Sequence, residues 1–410
     1  MKTDLIDSIV GLQQSHEALQ ALRHQRDKVA AATQGSYDAL FDEQLQGISL
    51  EERLLVALQA CLLTPAPELA AHYRARLEAV GAEAGLVAAI EAQARPGSGG
   101  GADAAAAPHA GRLEAMLTFT RLLIENPAAA DKAALLALPA AGLSTPAVVA
   151  LAQLIAFLSY QVRLVAGLQA MKGVQPAGAA SADLPAFGVT GAAGAAAEGA
   201  QAAAAAAATA SGSASSSIIR SHGFTSEPLD WKAWLEVVDL ADASAEQIAV
   251  LEESHPKAKV SDYYRLLVHQ PAILRQRSAA FNAIMYAPRG MSRAERELGA
   301  TVTSRINGCV YCASVHAQRF EQMARRNDVI LQVFQAPASA GTNPRERAIV
   351  RFSNDLTRSP AAMQPTSIRS LHEAGLQDLE ILDLVHSIAI FAWANRLMLN
   401  LGEPVPVTGE

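Results

Sequence analysis

Cysteine is scarce in this chain: three occur in 410 residues. Three cannot staple a secreted disulfide scaffold. Basic runs are missing too, and the net charge is −7, so the electrostatic footprint of a nucleic-acid binder is absent. The first residues, Met-Lys-Thr-Asp-Leu-Ile-Asp, lack the apolar run of a signal peptide. Only 18% of residues are charged and half are hydrophobic, which leaves ample material for large cores. Two stretches are apolar enough to suggest a membrane, Pro146 to Met171 and Leu379 to Leu401. Both carry interior polar residues (Gln153, Gln161 and Arg163; Asp383, His386, Asn395 and Arg396) and read as buried core helices. The expectation is a soluble cytoplasmic protein with reduced thiols, with neither nucleic acid nor membrane as a partner.

Alternation of β-branched residues is nearly absent. What is there is helical periodicity: aliphatic residues at spacings of three and four among Ala, Leu, Glu and Gln. Residues 1–171 read as helices broken by Pro65-Ala66-Pro67, a Gly/Ala-rich loop from Ala94 to Pro108, Pro127, Pro139 and Gly142. Ser49 with Glu52 forms a capping-box signature. Residues 172–217 are rich in Ala, Gly and Ser, as in the run Ala202 to Ala208, and read as a flexible linker. Helical patterning resumes over 218–410, with stops at Pro360 and Gly375.

The two ordered halves repeat one another. Glu52-Arg53 matches Glu295-Arg296 at an offset of 243. At an offset of 233, Phe119 matches Phe352, Pro127 matches Pro360, Ala141-Gly142-Leu143 matches Ala374-Gly375-Leu376, and Arg163-Leu164 matches Arg396-Leu397. The fold class expected is all-α: two helical-bundle domains, 1–171 and 218–410, in tandem around the linker.

The copies differ where chemistry would be. Two of the three cysteines, Cys309 and Cys312, lie three apart after Asn307-Gly308, a helix-breaking pair. His316 follows at helical spacing, so the three side chains share one helix face. Asn307-Gly308 suggests an exposed helix start, where the helix dipole would favour a thiolate at Cys309. Glu297 lies twelve residues upstream beside the apolar row Leu298, Val302 and Ile306; partial burial would raise its pKa and make it a proton carrier. Tyr311 could donate its hydroxyl proton or simply pack. At the 243 offset these five positions face Leu54, Ala66, Glu68, Leu69 and Tyr73, so the first copy has none of the reactive groups. His72 reads as a surface histidine, Cys61 as a small core residue, and His386 and Trp393 as core or pocket wall. The cysteine pair itself allows three readings: a buried structural pair, half of a zinc site lacking further ligands, or a redox dithiol.

The pattern Glu-x11-Cys-x-x-Cys-x3-His, with the run from Tyr286 to Leu298 before it and Ala374-Gly375-Leu376 after it, resembles the AhpD-like alkylhydroperoxidase branch of the carboxymuconolactone decarboxylase superfamily. The resemblance covers about 260–403, and 20–170 as a degenerate copy. It implies a hydroperoxide reductase in which Cys312 attacks the peroxide O–O bond. Cys309 then closes a disulfide, and His316 accepts the proton with Glu297 at the far end of the relay. Family members with a further histidine between the cysteines differ here, where Tyr311 stands. No bound cofactor is implied; an external thiol or protein dithiol would be the reductant and a small hydroperoxide the substrate. A homo-oligomer or an intramolecular pseudo-dimer is expected. The alternatives are a general thiol–disulfide oxidoreductase and a lactone decarboxylase that would not need the cysteines.

Overall fold

Two capping boxes frame the molecule. The Glu52 amide donates to the Ser49 hydroxyl and the Ser49 amide donates back to the Glu52 carboxylate; Ser292 and Glu295 repeat the exchange. The computed structural model describes residues 4–13, 16–94, 111–174 and 218–407. The linker expected over 172–217 and the loop over 94–108 fall almost wholly outside the described residues.

The first copy comprises α1 (Leu5–Val10), α2 (Glu17–Arg23), α3 (Asp27–Leu40), α4 (Leu50–Leu63), α5 (Pro67–Ala79), α6 (Ala84–Gln93), α7 (Arg112–Glu125), α8 (Lys132–Ala140) and α9 (Thr145–Lys172). The second opens with three short strands, β1 (Arg220–Ser221), β2 (Phe224–Thr225) and β3 (Leu229–Ala233). It continues through α10 (Ala245–Ser254), α11 (Asp262–Leu267), α12 (Pro271–Met285), α13 (Arg293–Ile306) and α14 (Val310–Ala324). Then come α15 (Asp328–Gln335), α16 (Pro344–Arg358), α17 (Pro365–Glu373), α18 (Asp378–Asn400) and β4 (Gly402–Pro406). The fold is all-α. Helices α4 and α5 start at the same offset of 243 from α13 and α14, and α8 and α9 at 233 from α17 and α18. The short strands and α15 were not anticipated. β1 pairs antiparallel with β2, and β3 with β4 in the register Trp231↔Pro404.

The described residues of both copies, up to 174 and from 219 on, form one compact unit. The two long apolar helices, α9 and α18, lie buried against each other along its centre. Gly167 of α9 permits this approach: a Cβ there would stand 2.5 Å from a Val385 methyl. Trp393 donates to the Gln153 side chain at 2.9 Å across the seam, so it is core. The pairing is reciprocal. Arg163 of α9 donates to the Thr357 carbonyl at the end of α16, and Arg396 of α18 donates to the Leu123 and Ile124 carbonyls at the end of α7. Arg163 matches Arg396, and Ile124 matches Thr357, at the same offset. Helix α3 likewise packs on its counterpart α12. The chain is arranged as a pseudo-two-fold dimer of its own halves, the geometry of an isologous interface.

A buried charge network crosses the same interface. Arg26 of the first copy makes two bonds to Asp383, at 2.7 and 2.8 Å, and Arg296 reaches the same carboxylate at 2.7 Å. Removing one member would leave buried charge unpaired, which costs about 3–5 kcal/mol. His386 is buried nearby among Arg23, Arg26 and Arg296, and burial pulls its pKa down to about 3, so it stays neutral. Cys61 is buried, as expected. His72 departs from the surface reading: it is half-buried and bonded to the Tyr37 hydroxyl at 2.7 Å.

Candidate functional site

The site grows from the turn between α13 and α14. Asn307 caps α13, and Gly308 follows at φ +81°, a conformation glycine adopts without a Cβ penalty. The Cys309 amide closes the turn on the Ser304 carbonyl at 2.9 Å. Cys309 therefore sits just before the first residue of α14, and Cys312 one turn later on the same face. Cys312 and Asn395 of α18 both lie near enough to the Cys309 thiol to shift its ionisation. Asn395 is itself fixed by Asn307 at 2.9 Å and by Ser304 at 3.0 Å.

Two expectations about this turn fail. It is not exposed: Asn307 and Cys309 are buried, Cys309 at 1%, because Gly308 abuts the first copy. A Cβ on Gly308 would lie 2.7 Å from the Ala128 methyl. Nor does the helix start make Cys309 a thiolate. Burial, reinforced by the adjacent Cys312, pushes its pKa well above the ordinary thiol value, which keeps it protonated.

Glu297 and His316 meet on facing helices. The carboxylate is fully buried, and its Oε2 lies 2.5 Å from His316 Nδ1. Its other oxygen accepts from Arg293, one turn earlier on α13, at 2.5 Å. Burial alone would raise the Glu297 pKa, as anticipated, but the bond and charge from His316 and the Arg293 guanidinium outweigh it. The net direction is downward, so Glu297 is an anchored carboxylate and not an elevated acid. Burial lowers the His316 pKa below 6.5 against the opposing pull of Glu297. A neutral imidazole facing an acceptor-only carboxylate must carry its proton on Nδ1, which leaves Nε2 as a free base. The ring is further held edge-on to Phe391, with centroids 4.3 Å apart.

Cys312 and His316 border a cleft of about 500 Å³ whose walls come entirely from the second copy. Cys309 does not line it. Tyr311 is half-buried in the wall, and burial pushes its pKa up to about 12, so its hydroxyl keeps its proton. Strand β3 and the segment after β4 close one side through Leu229, Asp230 and Val407. Glu227 just before β3 is held by Ser314 and Gln318 of α14.

The cleft also contains groups the sequence did not single out. Tyr263 of α11 and Arg277 of α12 are both at least 96% buried. The Tyr263 hydroxyl and the Arg277 Nε have no hydrogen-bond partner among the described residues. The guanidinium lies 5.3 Å from the Tyr263 ring centre. Buried polar atoms are almost always paired, so two orphaned donors beside a thiol mark where a polar ligand atom fits. Only Arg293, four residues before Glu297, could have been found from local spacing. Among the described residues no group of three His, Cys, Asp or Glu could hold a metal ion.

One comparison with known protein families falls on the second copy. Residues 271–355 match the family described as the carboxymuconolactone decarboxylase family. No curated protein matches the chain. Solved structures that resemble it include an AhpD-core, uncharacterized peroxidase-related protein from Ralstonia eutropha JMP134. That protein is 24% identical with a TM-score of 0.36, over 41% of this chain and 97% of the other. An uncharacterized peroxidase-related protein from Silicibacter sp. TM1040 is also 24% identical, with a TM-score of 0.35 over 41% of this chain and 91% of that one. The span matched to that family, 271–355, holds Glu297, Cys309, Cys312 and His316.

Proposed function

We propose that the second copy is a dithiol hydroperoxide reductase. The observation that carries this reading is the division of labour within one helix turn: Cys312 opens to the cleft beside a neutral histidine, while Cys309 lies behind it, protonated and shielded. His316 Nε2 takes the Cys312 proton. The thiolate attacks the terminal oxygen of R–O–O–H; the S–O bond forms, the O–O bond breaks, and the alkoxide leaves with the proton held by His316. Cys312 is then a sulfenic acid. Cys309 attacks its sulfur, the S–S bond forms, and hydroxide departs as water with the Cys309 proton. An external dithiol, oxidised in turn, restores both thiols. Tyr263 and Arg277 supply the donors that would hold the peroxide oxygens, and the phenyl and phenol rings around them suit an organic R group.

The burial of Cys312 favours this over a general thiol–disulfide exchange enzyme. At 4% exposure it is poorly placed to reach a protein disulfide. The test is peroxide consumption driven by a small dithiol. Wild type is expected to turn over, and Cys309→Ser is expected to stop at a trappable sulfenic acid on Cys312. Equal turnover by Cys312→Ser would refute the mechanism. Insulin reduction without peroxide turnover would favour the exchange enzyme.

A further inference from the structure

On the pseudo-two-fold axis, away from the cleft, lies a second cavity of about 590 Å³. Its walls come in matched pairs from the two copies: Thr64 and Asn307, Asn126 and Ser359, Arg163 and Arg396. The arginines are its unusual feature. They are 4% and 2% exposed. Neither forms an ion pair with any carboxylate among the described residues. Glu125 at the edge of the cavity is engaged by Arg121 at 2.9 Å and half exposed.

Each guanidinium brings five N–H donors and cannot shed its charge. Arg163 bonds the Ser159 and Thr357 carbonyls, and its Nε is buried without a partner. Arg396 bonds the carbonyls of Leu123, Ile124 and Ala392. The carbonyls at the ends of α7 and α16 offset part of the cost of burying a cation. They leave donors over and supply no net negative charge. Burial lowers the pKa of both groups, and for Arg396 the charge of Arg163 adds to it. Two like charges with no carboxylate partner among the described residues line one cavity, where a doubly charged anion would complement both.

We infer that this cavity is a binding site for a small oxyanion carrying two negative charges, a phosphate or a dicarboxylate, held between Arg163 and Arg396 by charge-assisted hydrogen bonds. The site needs both copies, one arginine from each, and gives the first copy a role in ligand binding that its lost chemistry does not exclude. It is independent of any reaction in the cleft.

Calorimetric titration of the full chain with inorganic phosphate and, separately, succinate tests this, with chloride at matched ionic strength as the control. One saturable site per chain for phosphate or succinate, with a concentration-dependent rise in melting temperature that chloride does not give, is the expected result. Which of the two binds identifies the class. Arg163→Gln is expected to weaken binding by about thirtyfold or more, the scale for losing one buried charged partner. Should that variant not fold, exposed Ala361→Glu at the cavity wall serves instead: its carboxylate competes for the same guanidiniums and lowers the affinity. No saturable binding of either anion to the wild type, or unchanged affinity in Arg163→Gln or Ala361→Glu, would overturn the proposal and leave the arginines as caps for α7 and α16.

Discussion

Helices α5 and α14 start at matched positions, close their turns with matched bonds and carry different residues. The Ala66 amide donates to the Cys61 carbonyl, as the Cys309 amide donates to the Ser304 carbonyl. In the first copy Pro67 opens the helix and Leu69 and Tyr73 are fully buried, the Tyr73 hydroxyl donating to Gln161 at 2.6 Å. In the second, Gly308 replaces Pro65, Cys312 replaces Leu69 and His316 replaces Tyr73, and the histidine turns to a buried glutamate where the first copy has Leu54. Both versions fold within one core, so the scaffold requires neither set. A buried carboxylate is costly unless paired, and the second copy supports one only through His316 and Arg293. The surrounding architecture diverges with it. The second copy adds β3 and β4, which wall the cleft, and no counterpart occurs among the described residues of the first.

The largest effect comes from returning Cys312 to its counterpart. Cys312→Leu is expected to remove peroxide turnover to the uncatalysed background, because the cleft holds no other thiol to act as the nucleophile. Since Leu69 fills the same place in α5, the variant should unfold within about 1.5 kcal/mol of the wild type, the range for a tolerated apolar exchange. Retained turnover would break the claim that the copies differ in chemistry; a collapse in stability would break the claim that they share a scaffold.

The next effect separates Glu297 from His316. Glu297→Leu frees the imidazole tautomer and should slow Cys312 oxidation by about a hundredfold, the lower range for losing an oriented base. His316→Tyr should do the same and leave Glu297 buried with Arg293 alone. If the pair is a unit, Glu297→Leu/His316→Tyr is more stable than the two single losses sum to, by about 0.5–3 kcal/mol. Stability against pH carries the same information. His316 is lowered in the folded state, so the unfolded chain binds its proton first, and stability is lost as pH falls through about 6.5 toward the folded value. Glu297 is also lowered, so its contribution is complete above about 4.3 and is lost as pH falls through its folded value. Both slopes run toward acid, and both should flatten in the double variant. A wild-type denaturation midpoint unchanged between neutral pH and pH 5 would contradict the buried neutral histidine.

The direction of the Glu297 shift marks the limit of what the sequence could tell. Its burial was legible from the neighbouring row of Leu298 and Val302. Its link to His316 came only through the family resemblance, since His316 approaches from another helix and no local spacing joins the two; their direct bond, which reverses the shift, was not legible. The helices and the repeat were readable from local rules: Ser49 with Glu52, Ser292 with Glu295, and matched prolines and glycines. Strand β3 was missed because its partner β4 lies at the other end of the copy, and no local pattern joins Trp231 to Pro404. The orphaned Tyr263 and Arg277 escaped for the same reason. A lone tyrosine and a lone arginine carry no spacing signal until α11 and α12 bring them to the cleft.

A smaller effect tests how the first copy supports the second. Gly308→Ala forces a Cβ into φ +81° and against Ala128, and should destabilise by about 1–3 kcal/mol. Ala128→Gly removes the contact but not the backbone strain. Combined with Gly308→Ala it should restore part of the loss, and the restored part measures how firmly the first copy presses on the cysteine turn. Full additivity of the two changes would mean that the copies do not touch there.

The smallest effect concerns Tyr311, whose counterpart is Glu68 on the exposed side of α5. Its hydroxyl is protonated at any working pH, since burial holds its pKa up near 12. It therefore cannot serve as a base, and its contribution is at most that of one neutral donor toward an oxygen in the cleft. Tyr311→Phe keeps the ring that packs in the wall and removes that donor. The rate of Cys312 oxidation should fall by no more than about tenfold, the upper value of a single neutral hydrogen bond. A loss as large as that of His316→Tyr would place the phenol in the proton relay and make the second copy's distinction a five-residue device. A change within about twofold would confine the chemistry to Cys309, Cys312, His316 and Glu297.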